Sequence, residues 1–174
     1  MYNLVVSTGR RREGLCMDEL RRVGDYLGVK VVNTWFTGFD GLVVAQVDVN
    51  PIEFTNKLKE LVLSRRYIPR FILKVVPILR VVDTEFEIIV EEAVKLGNEL
   101  ISRDETYRID VRKRGVYAEK FNRMYIIDAI ASKIDRKVRL ENPDKILHLD
   151  IFPSRTGISV FRESDVFSLL KLQL

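Results

Sequence analysis

The amino-acid sequence predicts an α+β protein built from two small lobes. Three observations predict it. The first 80 or so residues follow the order strand, helix, strand, strand, helix, strand, and the stretch from Thr106 to Val160 alternates strand and helix periods. Charge also changes abruptly: residues 83–105 hold two Lys and Arg against eight Asp and Glu, whereas residues 106–139 hold ten against four. A chain of 174 residues is long enough for one sizeable core or for two compact lobes, and the two patterns favour the latter.

Asn3 to Ser7 is apolar and β-branched, a buried strand broken by Thr8 to Gly14. Cys16, Leu20, Val23 and Leu27 then mark one face of a helix ending near Gly28. Lys30 to Phe36 and Gly41 to Val49 are strands, joined by a turn containing Gly38 and Asp40-Gly41. Asn50 is a good N-cap, Pro51 fits the first helical position and Glu53 the third, so a helix begins there and buries Phe54, Leu58 and Leu61. Arg70 to Val82 reads as one long strand, in which Pro77 implies an edge or a bulge. This order is the split arrangement of a ferredoxin-like domain, assigned to residues 1–83.

Thr84 and Glu87 pair as a capping box at the head of an acidic helix with Phe86, Val90, Ala93, Leu96 and Leu100 on its apolar side. From Thr106 to Arg114, Tyr107, Ile109 and Val111 alternate with Arg108, Asp110, Arg112 and Arg114, a half-buried strand with a mostly basic outer face. After Gly115, Ile127, Ile130, Ala131 and Ile134 recur at helical spacing, and Lys120, Arg123 and Lys133 lie off that stripe. Asn142-Pro143-Asp144 is a turn, with Pro143 holding Asn142 extended and the flanking side chains free to cap amides. Leu147, Leu149 and Ile151 alternate with Ile146, His148 and Asp150, and Ile158 and Val160 resume after Pro153 to Gly157, so the unit closes on a hairpin. Phe161 to Leu174 reads as a short helix or a frayed tail.

The residues also carry a family resemblance. Tyr107-x-Ile-x-Val-Arg-Lys-Arg, then Ile126-Ile-Asp-Ala-Ile-Ala, Val138-x-Leu-Glu-Asn-Pro-Asp, Leu147-His-Leu-Asp-Ile and Thr156-Gly-Ile-Ser-Val closely resemble the THUMP domain, named for the thiouridine synthases, RNA methylases and pseudouridine synthases that carry it. The resemblance implies an α/β THUMP domain over residues 84–174. Arg70 to Pro77 looks like the junction of one subgroup, the stand-alone adaptor that assists a separate acetyltransferase in making acetylcytidine in tRNA. The enzymes of the family carry a further catalytic domain, whereas here the chain stops some fourteen residues after Val160. The expectation is a non-catalytic, tRNA-binding partner of a cytidine acetyltransferase that supplies the active site, and no cofactor or metal is assigned to it.

Composition narrows the alternatives. No apolar run approaches the roughly 20 residues a membrane helix requires, Met1 to Arg12 lacks the pattern of a secretory signal, and Cys16 stands alone, which leaves no intrachain disulfide and no zinc cluster. The expected location is the cytoplasm. Gly9-Arg10-Arg11-Arg12-Glu13-Gly14 has the glycine spacing of a phosphate loop but is followed by Leu15 and Cys16 instead of Lys and Ser or Thr, so nucleotide triphosphate binding is not expected. Arg10, Arg11 and Arg12 are kept as a secondary contact to RNA or to a partner. His148, the only histidine, is expected at a surface or an interface, and Cys16 in the core. Trp35, Phe36 and Phe39 either close a small core or stack on unpaired bases. The acidic helix face is read as solvated, not as a metal site.

An A-form stem with an unpaired end requires cations spaced along its backbone and donors for its ribose hydroxyls. By outward alternation and by resemblance, the RNA-binding set comprises Arg112, Lys113, Arg114, Lys120, Arg123, Lys133 and Lys137, with Arg155, Thr156 and Gly157 at the hairpin tip. Strict alternation turns Lys113 inward unless the strand has ended. Two other readings compete: a ferredoxin-like ligand-binding or oligomerisation module without an RNA role, and an enzyme acting on tRNA.

Overall fold

The structure, a computed structural model, describes residues 1–115 and 121–174. Its chain contacts divide it into two units, Met1–Ile78 with Ser164–Leu174, and Leu79–Glu163.

In the first unit the chain runs β1 (Leu4–Ser7), α1 (Glu13–Leu27), β2 (Val31–Phe36), β3 (Leu42–Val47), α2 (Pro51–Leu63) and β4 (Lys74–Pro77). The strands form an antiparallel sheet in the order β4-β1-β3-β2, the arrangement expected of the split β-α-β order. Leu4 and Val6 of β1, Val43, Ala45 and Val47 of β3 and Val75 of β4 face Cys16, Leu20 and Val23 of α1 and Phe54, Leu58 and Val62 of α2. Each such large apolar side chain removed from water contributes about 1.5–3 kcal/mol. Gly28 ends α1 in the left-handed conformation at φ 67°, and the Asn50 side chain accepts from the Ile52 amide at the start of α2.

Glu19 is the polar anchor of this unit. Its carboxylate is buried and accepts from the amides of Arg70, Phe71 and Ile72 at 2.8, 2.9 and 2.8 Å and from the Tyr67 hydroxyl at 2.7 Å. Those bonds hold Arg70 to Leu73 as a loop. The long strand expected over Arg70 to Val82 is instead two short ones, β4 in this sheet and β5 (Arg80–Asp83) in the other. Pro77 sits where its missing amide costs nothing, because the next strand out pairs only with Lys74 and Val75.

That outer strand is β10 (Phe167–Ser168), from the segment expected to be a helix or a tail. Phe167 is wholly buried in the first core, so the C-terminal residues belong to the first unit and not, as the sequence suggested, to the second.

The second unit contains β5, α3 (Phe86–Leu100), β6 (Thr106–Lys113), α4 (Arg123–Ala131), β7 (Lys137–Val138), β8 (Lys145–Ile151) and β9 (Arg155–Phe161). Its sheet has the order β5-β9-β8-β6-β7, with β6 parallel to both β8 and β7 and the remaining pairs antiparallel. Tyr107, Val111, Leu147, Leu149, Ile151, Ile158 and Val160 face Ile89, Val90, Ala93 and Leu96 of α3 and Ile126 and Ile130 of α4. Gly97 lets α3 approach closely, since a β-carbon there would lie 2.6 Å from the Ile134 side chain.

Three local expectations change. Thr84 does not cap α3: the cap position is Glu85, and the Thr84 hydroxyl bonds the Phe152 carbonyl and the Thr156 hydroxyl. Leu100 is exposed, with Ile89 and Gly97 buried along the stripe. Asn142 takes a left-handed φ of 50° instead of an extended one, while Asp144 caps the Thr106 amide at 2.9 Å. Among the described residues no helix is long and apolar enough to cross a membrane.

Candidate nucleic-acid interface

β7 is only two residues long and pairs with Thr106 and Tyr107, so among the described residues no strand pairs with the same edge of β6 from Ile109 onward. Along that edge lies a cleft of about 420 Å³, lined by Ile109 to Arg114 and by Arg123 and Ile127 on one face of α4. An open strand edge invites pairing with another chain, and charged side chains on it discourage that. The same charges give the cleft a cationic wall.

Four of the expected RNA-binding residues, Arg112, Lys113, Arg114 and Arg123, meet here. Lys113, the member that alternation turned inward, lies opposite Ile151 at the end of the ladder and is half-buried beside the cleft instead of in the core. The one carboxylate of the lining, Asp110, is paired with Arg108 at 3.0 Å. Arg112, Lys113 and Arg123 make no ion pair among the described residues.

Arg123 is the first residue of α4, where a cation opposes the helix dipole at a cost of about 0.3–1 kcal/mol. Asn122 already satisfies the amides of Met124 and Tyr125, so the helix terminus itself is closed and the cationic side chain is what the position presents.

Arg114 is held differently. Its Nε donates to Asp150 at 2.9 Å, and Nε2 of His148 lies 2.7 Å from the other Asp150 oxygen. Burial pushes the Asp150 carboxyl up, but His148 and Arg114 together hold it below the usual carboxylate range. His148 is on the strand face that alternation assigned to it, yet it is buried there, packed against the Phe161 ring at 5.6 Å, and not on the surface.

The other expected contacts lie elsewhere. Lys137 is beside Thr106, roughly 20 Å along β6 from Arg112 at ~3.3 Å per residue. Lys133 is exposed past the opposite end of α4 from Arg123. Arg155 is at the correct end of the sheet but pairs with Asp83. Thr156 and Gly157 are not a hairpin tip: both are buried within β9, Gly157 opposite Asp150 and Thr156 bonded to Thr84, and the exposed tip is Pro153 to Arg155. Lys120 lies outside the described residues.

In the first unit Arg10 pairs with Asp40 at 2.8 Å, Arg11 occupies a left-handed φ of 64°, and Arg12 lines a cleft. That cleft, about 410 Å³, also involves Thr8, Gly9, Arg70, Phe71 and Leu73, of which Arg70 and Phe71 stood out in the sequence only as part of the Arg70 to Pro77 resemblance and not as site residues. Phe36 is exposed on β2. Cys16 is in the core, where burial raises its thiol to about 12. Among the described residues no cluster of His, Cys, Asp or Glu could hold a metal.

The fold and the cleft define a class: a two-unit α/β protein whose second unit carries a cationic groove beside a strand edge that no described strand pairs. More specifically, residues 83–161 form a THUMP domain, matching the model of that family over the whole span. A protein of Methanocaldococcus jannaschii, MJ0421, described as uncharacterized, is 25% identical over 160 residues, covering 90% of this chain and 40% of its own length. Among solved structures, PH1313 from Pyrococcus horikoshii superposes with a TM-score of 0.67 at 17% identity over 92% of this chain and 54% of its own. TrmN from Thermus thermophilus gives 0.61 at 13% over 90% and 44%, and a 4-thiouridine synthetase in complex with RNA and ATP gives 0.56 at 19% over 97% and 42%. This chain thus spans about half or less of each protein, and at these identities the structural likeness is one of fold.

Proposed function

We propose that this protein binds tRNA through the β6–α4 cleft, engaging the acceptor stem and the 3′ end, and that it presents the tRNA to a separate modifying enzyme. The observation that carries the proposal is the meeting of Arg112, Lys113, Arg114 and Arg123 on one open groove, three of them without an ion pair among the described residues. Cations so spaced neutralise successive phosphates, and the open main chain of β6 adds donors and acceptors of the kind that meet ribose hydroxyls. The THUMP domain and the RNA-bound 4-thiouridine synthetase among its structural relatives support the choice of RNA as the polyanion.

The finer reading is a non-catalytic substrate-binding subunit in the cytoplasm whose partner is a cytidine acetyltransferase, and it rests on the sequence resemblance at Arg70 to Pro77 and Tyr107 to Val160. Arg12 and Arg70, in the first unit's cleft, serve as a secondary contact to RNA or partner.

The test is binding of the purified protein to whole tRNA and to tRNA lacking its unpaired 3′ end at several salt concentrations. Affinity should fall with a log–log slope of about −0.7 to −0.9 per phosphate contacted, and trimming should weaken it. Equal binding to both RNAs removes 3′-end recognition, and absence of salt-dependent binding removes the RNA role in favour of a ligand-binding module. Stimulation of acetylcytidine formation by a cytidine acetyltransferase tests the partner.

A further inference from the structure

The cleft holds four cations, and one of them is braced from within the sheet. Arg114 follows the last residue of β6, and its amide donates to the Ile151 carbonyl at 2.8 Å, so its backbone is tied to β8. Its side chain is tied there too, through Asp150. The cross-strand partner of Asp150 is Arg112, yet the carboxylate reaches diagonally to Arg114 and leaves Arg112 exposed.

Asp150 is 0% exposed, and its second oxygen is taken by His148 on the same face of the same strand. A buried ion pair is a poor way to stabilise a fold, because apolar residues of similar volume fill the space without the desolvation cost. It is a good way to orient a guanidinium. The Arg114 side chain keeps 28% exposure, and only its Nε is engaged, so among the described residues both terminal nitrogens remain available toward the cleft.

We infer that Asp150, backed by His148, is a positioning residue that holds the Arg114 guanidinium at the cleft wall with its terminal nitrogens presented to an RNA phosphate. This rests on the tRNA-binding reading of the cleft. A free arginine must be ordered when RNA arrives, whereas a braced one has already lost that freedom and binds with less penalty.

The sign of one substitution separates this from simple electrostatics. Replacing Asp150 by Asn removes a negative charge beside a polyanion site, which by Coulomb attraction alone should tighten RNA binding. Loss of the brace should weaken it instead. The experiment measures tRNA affinity for the parent, D150N, R114A and the double variant, with thermal melts to confirm folding. D150N and R114A should each lose roughly tenfold, equivalent to about 1.4 kcal/mol, and the double variant should be no weaker than R114A. Should D150N fail to fold, H148N decides: a severalfold loss that vanishes in the R114A background supports the brace. A folded D150N that binds as well as the parent or better, an H148N without effect, or losses that simply add would overturn it. R112A and R123A serve as controls for the reading beneath: if they lose affinity while D150N does not, only the brace is wrong, and if they too bind normally the cleft is not the RNA site.

Discussion

Glu19 and Asp150 are the two carboxylates buried among the described residues, one in each unit, and they are satisfied in opposite ways. Glu19 accepts from three consecutive backbone amides and a tyrosine hydroxyl, all neutral groups whose only requirement is that the chain adopt one path. Asp150 accepts from an arginine that reaches the surface and stands against a histidine, both of them side chains that can carry charge. A carboxylate bonded to amides specifies a loop, and one bonded to a partly exposed cation specifies where that cation points.

The difference can be broken first on the Glu19 side. Glu19→Ala leaves the Ile72 amide buried without a partner and frees the loop, so unfolding of the first unit should become easier by about 3 kcal/mol, read as a lower urea midpoint. The same change should leave the salt slope of tRNA binding at the second unit as it was. An unaltered midpoint would mean that the loop is held by packing alone.

Acid should act on both carboxylates. Burial raises each, but the Arg70, Phe71 and Ile72 amides with Tyr67 hold Glu19 below its usual 4.5, and His148 and Arg114 hold Asp150 below 3.8. A depressed folded value means stability that is present above the unfolded value and is lost as pH falls through the folded one. Melting temperature should therefore decline as the pH drops below about 4.5 and continue to decline below 3.8, and E19Q should flatten the earlier part of that fall. A midpoint independent of pH from 5 to 3 would contradict the assignment.

A sharper comparison sets the braced cation beside the free ones. Arg112→Ala and Arg123→Ala should each reduce tRNA affinity by roughly three- to tenfold and lower the salt slope by about one contact, with little change in melting temperature because neither is paired among the described residues. The smallest effects belong to the cations outside the cleft. Lys137→Ala should change affinity less than twofold, and Arg155→Ala, which breaks an exposed pair with Asp83, should alter stability by no more than about 1 kcal/mol. A loss at Lys137 equal to that at Arg112 would show that RNA tracks the whole length of β6 and not its open end.

Much of this was legible in local pattern. Period-2 alternation placed Tyr107, Leu147 and Leu149 in the core and Arg112 and Arg114 outside it, and Asn50-Pro51 marked the start of α2 correctly. Patterns with two readings failed. Thr84 and Glu87 have the spacing of a capping box, but the Thr84 hydroxyl has a better use against Thr156 across the sheet. Thr156 and Gly157 resemble turn residues in sequence, and they are interior because the strand begins at Arg155, three residues before Ile158. Nothing in the local pattern placed Arg70 beside a cleft, since its position depends on a glutamate 51 residues away.

The sequence was enough to set most of the strands and helices, the apolar face of each and the basic outer face of β6, because these follow from side-chain periods of 2 and 3.6 along one segment. It also carried the family motif. Chain packing settled that Phe167 completes the first sheet, that β7 stops short with no described strand pairing that edge of β6 beyond it, and that the Asp150 carboxylate pairs with Arg114 and not with Arg112 across from it. Those outcomes depend on which strands pair and in what register, and a period of two residues identifies a face without identifying the neighbour across it.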